Sequence, residues 1–122
     1  MAKTGKIAIR RSASWMTIWD DRLLELLASN DVSSVSRLAS EEFIRIGQSQ
    51  VSRRLSKLEK NGILIKQSRG VYSLNIIGAA YLCGEYDLEN ESWTNFEGPD
   101  EFREEYDLNS HPRTIRFQDT LS

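Results

Sequence analysis

Apolar positions follow a helical period in four stretches and a strand-like pattern in two. The first helix begins after Thr17, with Trp19, Leu23, Leu26 and Leu27 at i, i+4, i+7 and i+8 forming one face. Thr17 can cap it, and Asp20 stands at the capping-box position. Asn30-Asp31 ends it. A second, short helix starts at Ser33 or Ser34, with Val35, Leu38 and Ala39 inward, and stops near Ser40. A connection from Glu41 to Ile46 follows, in which Phe43 and Ile46 are expected to anchor the chain to the core.

The third helix carries the most local signals. Gly47 is an acceptable N-cap, and Gln50 at N3 can reach back to it. Ile46 and Val51 have the spacing of a hydrophobic staple. Val51, Leu55 and Leu58 make the inward stripe, and Asn61-Gly62 ends the helix with glycine at the left-handed C′ position. A strand over 63–68 and a return strand over 71–74 flank the two-residue turn Arg69-Gly70. Asn75 can cap a fourth helix from Ile76 to about Gly84. From Glu85 the periodicity degrades, except that Pro99-Asp100-Glu101 can start a short helix with Phe102 and Tyr106 on one side.

The order helix, helix, helix, strand, turn, strand, helix predicts an α+β fold, mainly helical: a winged helix-turn-helix with an acidic C-terminal extension. The expected organisation is a basic N-terminal arm over 1–14, a DNA-binding domain over 15–87 and an acidic tail over 88–122. The arm is expected to be loose, or to end in a short strand at Ile7-Ala8-Ile9. The tail holds Trp93, Phe96, Phe102 and Tyr106, more aromatics than a disordered segment usually carries. Docking on the body or on a second subunit would account for them. Trp15, Trp19, Tyr72 and Tyr81 are spaced like core residues.

Charge sharpens this picture. The net charge of -2 over 122 residues conceals a division. Residues 1–84 carry 13 Lys and Arg against 7 Asp and Glu, whereas residues 85–122 carry 3 against 11. A basic body of this kind suits a polyanionic partner. One cysteine and one histidine exclude a disulfide framework, a Cys-based zinc finger and a multi-His metal site. Cys83 reads as a small hydrophobe and His111 as a surface residue of the tail. No Ser, Cys or carboxylate constellation supports catalysis, and no glycine pattern supports a nucleotide cofactor. The longest apolar run, Ile76 to Cys83, is far too short to span a bilayer, and no signal peptide is recognisable. The expectation is therefore a cytoplasmic non-enzyme without cofactor or metal, and no small-molecule ligand is inferred.

The candidate chemistry lies on the third helix. With Val51 at zero and about 100° per residue, Ser49, Ser52, Arg53, Ser56 and Lys60 lie opposite the apolar stripe. Gln50 and Lys57 lie on one flank, and Arg54 is closer to the core. No acid occurs on this helix before Glu59. Gln can read adenine, Arg guanine, and Ser either base or phosphate. Gln48, Ser49, Gln50, Ser52 and Arg53 are thus base-reading candidates, at the helix end that reaches base edges. Arg54, Lys57 and Lys60 are candidates for phosphate. Arg45 in the preceding connection, pinned by Ile44 and Ile46, can touch the backbone, with Ser36 and Arg37 as weaker candidates. On the wing, Lys66 and Arg69 are the cations. Arg69 can enter the minor groove, pair with phosphate, or simply be an exposed turn residue.

The run Ser49-Gln50-Val51-Ser52-Arg53-Arg54-Leu55 through Leu58-Glu59 to Gly62-Ile63 resembles the recognition helix of archaeal winged-helix regulators. Ser14-Trp15-Met16-Thr17-Ile18-Trp19-Asp20-Asp21, with Gly70-Val71-Tyr72 and Tyr81-Leu82, resembles haloarchaeal proteins related to the repressor of halophage phi-H. The likeness covers about residues 14–87. It implies a transcription regulator, often a homodimer, on double-stranded DNA, with contacts at Ser49, Ser52, Arg53 and Arg54. The competing reading is a winged-helix module that binds protein rather than DNA. A further possibility is that the acidic tail mimics DNA and covers the basic face.

Overall fold

The computed structural model describes residues 10–30 and 32–106. The arm's Ile7-Ala8-Ile9, Asp31, His111 and the tail after Tyr106 lie outside the described residues. The elements are α1 (Ile18–Ser29), β1 (Ser33–Ser34), α2 (Val35–Ala39), α3 (Gln48–Lys60), β2 (Leu64–Ser68) and β3 (Val71–Leu74). They continue with α4 (Ile76–Leu82), β4 (Tyr86–Asp87), β5 (Ser92–Trp93) and α5 (Pro99–Tyr106). Three helices followed by a hairpin make this an α+β winged helix-turn-helix.

Local chemistry explains most of the boundaries. Thr17 N donates to Asp20 Oδ2 at 2.8 Å, closing the acid's half of the capping box on α1. Ser34, not Ser33, caps α2, accepting from Arg37 N at 3.1 Å. Asn75 caps α4 by accepting from Gly78 N at 2.9 Å. Gly62 follows α3 with φ 81°, and Ile63 N reaches back to Leu58 O at 3.0 Å. That is the left-handed ending anticipated for Asn61-Gly62. Gln50 does not cap α3: no side-chain bond closes its first turn.

The hairpin is antiparallel, with Leu64 opposite Leu74 and Ser68 opposite Val71. A bulge between Lys66 and Ser68 shifts the register next to the turn. Gly70 at φ 70° makes the turn, as a tight hairpin requires. The sheet has a third strand that periodicity did not indicate. β1 pairs with β3, so β3 is central. Val35 N also donates to Gly70 O at 2.8 Å, tying the base of the wing tip to the start of α2.

One apolar cluster unites these elements: Leu23, Leu24 and Leu27 of α1, Val51, Leu55 and Leu58 of α3, and Ile63, Leu74 and Tyr81. Phe43 does not join it. It is 66% exposed, and Ile44 takes the inward place beside the half-buried Ile46. Trp15 and Trp19 are half-buried at the edge of the core, whereas Tyr72 and Tyr81 are inside it.

The same cluster extends past residue 87. Leu88 and Phe102 are buried, and Trp93, Phe96 and Tyr106 pack around Phe102. α5 packs against α4. The tail aromatics therefore dock on the body of their own chain. Buried Glu85 fastens this docking by accepting from Asn95 Nδ2 at 2.7 Å and from Tyr106 OH at 3.0 Å. The end of the N-terminal arm is seated as well. Arg11 forms a single parallel bridge with Asp87, Leu88 N donates to Arg11 O, and Ala13 is buried. Arg10 donates to Leu82 O and pairs with Glu25 at 2.5 Å.

Tyr81 gives the fold a pH dependence. Burial pushes its phenol well above the ordinary value, and donation to Asp21 Oδ1 at 2.5 Å pushes it further. The unfolded chain loses this proton near the ordinary value of 10.0, where the folded chain still holds it. Stability is therefore complete below that pH and falls as pH rises above it. Tyr106 is shifted the same way, by burial first and then by Cys83 and Glu85. The urea midpoint is expected to drop between about pH 9 and pH 11, the range of ordinary tyrosine ionisation. Tyr81→Phe should flatten that drop in part. A parent midpoint unchanged across this range would contradict the assignment.

Candidate nucleic-acid interface

α3 spans 13 residues, and its length and polarity decide what it can do. Its buried stripe is only Val51, Leu55 and Leu58. The remaining surface is polar, and its first turn carries no acid, unlike that of α1 with Asp20 and Asp21. The positive end of the α3 dipole is thus not neutralised within its own helix, which favours a phosphate or a base acceptor there.

Gln48, Ser49, Gln50, Ser52 and Arg53 are all exposed on this end of α3. Arg45, three residues ahead of Gln48, is exposed too. Arg53 and Arg45 form no ion pair with any described residue. Lys66 and Arg69 are exposed on the wing, a separate element that contacts α3 through β2. A groove of about 770 Å³ runs along α3, where Gln50, Arg53 and Lys57 face Thr17, Trp19 and Ile46.

Two aromatic platforms border this face. Lys57 Nζ lies 5.4 Å from the centroid of Trp15, and the Arg22 guanidinium lies 5.9 Å from that of Trp19. Such contacts hold a cation in place while leaving its charge available. Sequence spacing could suggest the second pair, since Arg22 follows Trp19 by one helical turn. Nothing in the sequence links Lys57 to Trp15.

Arg54 behaves differently from its neighbour. Its Nε donates to Asp20 Oδ1 at 2.9 Å and its Nη2 to Asp20 Oδ2 at 2.6 Å. Nη2 also donates to Trp15 O at 3.2 Å. The Asp20 side chain is fully buried and that of Arg54 is 22% exposed. The hydrogen bond to Asp20 raises the guanidinium pKa, so the cation is held charged. Breaking such a pair by removing one partner typically costs about 3–5 kcal/mol, because a charge is left buried. Of the residues expected to meet DNA, Arg54 alone pairs with a described carboxylate.

No helix among the described residues is long and apolar enough to cross a membrane. No cluster of His, Cys, Asp and Glu among them could hold a metal. No protein-family model matches the sequence, and no curated protein matches it. Among solved structures, the crystal structure of the PhiH1 repressor-like protein from Haloarcula marismortui is similar at 45% identity and a TM-score of 0.70. The match covers 72% of this chain and 100% of that one. The whole of that solved chain is therefore matched at 45% identity, and the chain belongs to the PhiH1 repressor-like family.

Proposed function

We propose that the protein is a sequence-specific, double-stranded DNA-binding transcription regulator, and that it represses by occupying its site. α3 enters the major groove with Gln48, Ser49, Gln50, Ser52 and Arg53 toward base edges. Arg45 and Lys57 meet phosphates, and Lys66 and Arg69 of the wing meet the flanking backbone or minor groove. The observation that carries this reading is the exposed, acid-free first turn of α3 beside Arg53, which makes no ion pair with a described residue. The repressor-like relative supports it. The setting is the cytoplasm and the reaction is binding, without catalysis or a small-molecule ligand.

A homodimer fits this role. Two copies would place two α3 helices on half-sites about one helical turn apart, near 34 Å. Light scattering of the free protein checks the mass, and a monomer at working concentration would count against the dimer.

The test of the function is a salt titration of duplex binding. Neutralising several phosphates predicts an affinity that falls linearly with salt on logarithmic axes, at about 0.9 per phosphate. Binding that is absent at low salt would remove DNA as the partner. It would favour the use of the same helix and wing in protein recognition.

A further inference from the structure

We infer that Asp20 is a positioning residue for DNA readout: it withholds Arg54 from the phosphate backbone and fixes the roll of α3 on α1. This rests on the DNA-binding reading above and deepens it.

Arg53 and Arg54 are adjacent and chemically alike, yet their surroundings are opposite. Arg53 is exposed, whereas Arg54 spends its fork on one buried carboxylate. Both oxygens of that carboxylate are engaged. Oδ1 accepts from Arg54 Nε, and Oδ2 accepts from both Arg54 Nη2 and Thr17 N. The third link, Arg54 Nη2 to Trp15 O, ties in the residue whose ring carries Lys57. Residues 15–20 are thereby joined to the middle of α3 at two points, through Arg54 and Lys57.

The apolar stripe sets which face of α3 is outward but not its fine alignment. Three residues, Val51, Leu55 and Leu58, bury α3, and burial is not directional. A bidentate guanidinium–carboxylate pair is directional and adds geometric specificity. A small roll within that limit would carry Arg54 toward the duplex and shift Arg53 across it. The pair holds Arg54 against α1 and so fixes where the outward Arg53 points. Asp20 thus acts twice, as the acid of the α1 capping box and as the lock on α3.

The experiment compares the parent, Asp20→Asn, Arg54→Met and the double variant in the full chain, after confirming folding by circular dichroism. Each is titrated with a duplex selected by the parent and with an unrelated duplex, across a salt series. Asp20→Asn is expected to free Arg54 and steepen the salt dependence by about one phosphate equivalent. Its preference for the selected duplex should fall by roughly tenfold or more, on the scale of one lost base contact. Arg54→Met should lower that preference without changing the salt slope, and the double variant should return to the parent's slope. A slope reduced by about one in Arg54→Met would overturn the proposal, because Arg54 would then be an ordinary phosphate contact. Variants that are less stable but keep the parent's preference and slope would also overturn it. If Asp20→Asn does not fold, Arg54→Met alone decides between these results. A parent that binds neither duplex would instead overturn the DNA reading, and this inference with it.

Discussion

Phe102→Ala is expected to destabilise the folded chain by about 3–5 kcal/mol, the usual cost of emptying a fully buried phenylalanine site. Phe102 lies on α5, yet its exposure is 0%. Tyr106 stacks at 4.6 Å between ring centroids, Trp93 at 5.6 Å and Phe96 at 5.8 Å. Truncation would leave these rings around a void and loosen the Tyr106 and Asn95 bonds to buried Glu85. Urea unfolding followed by tryptophan fluorescence would measure the loss. A change below about 1 kcal/mol, typical of a surface site, would show that α5 contributes little to the domain. The same packing governs how the acidic tail can be tested as a cover for the basic face. Removing residues 88–122 would also remove Leu88 and Phe102 from the core. Neutralising the exposed Glu104 and Glu105 of α5 to glutamine spares both and is the informative variant, because residues 107–122 carry two acids and two arginines and no net charge.

The second large effect falls on recognition. Arg53→Ala is expected to weaken binding to the preferred duplex by about 1–3 kcal/mol, roughly ten- to hundredfold. The loss should be concentrated at one base position, which becomes tolerant of substitution. The side chain is exposed and makes no ion pair among the described residues, so the folded state should change little. Competition with duplexes altered at each position would reveal the pattern. A uniform loss at all positions, with the salt slope reduced by about one, would instead make Arg53 a phosphate contact.

How far the fold was legible depended on how many local signals overlapped. α3 had a staple, a capping glycine, an apolar stripe and a C′ glycine, and its limits came out as Gln48–Lys60. The hairpin was legible from β-branched residues around Arg69-Gly70. β1, β4 and β5 each have two residues, too few for any period to show. Phe43 sits in an irregular connection where no period assigns a face, and Ile44 fills the core instead. The extension announced itself through an excess of aromatics and through the helix start at Pro99-Asp100-Glu101, where α5 begins. Its hairpin brings Tyr86 against Trp93, and α5 brings Phe102 beneath both Trp93 and Phe96.

The candidate site divides in the same way. Exposure of Gln48, Ser49, Gln50, Ser52 and Arg53 followed from one helix and its angular spacing. The inward turn of Arg54 did not, although the same spacing set it nearer the apolar stripe. Its partner Asp20 lies 34 residues away on another helix. As a first-turn acid, Asp20 already had a local explanation. A long-range pair between two residues that each satisfy a local rule leaves no trace in a single sequence.

The most direct test of the central claim is selection from a random-sequence duplex library by the parent and by Arg53→Ala, read out by sequencing. The account predicts one enriched motif for the parent, relaxed at a single position in the variant. No enriched motif, together with no salt-sensitive duplex binding, would contradict it.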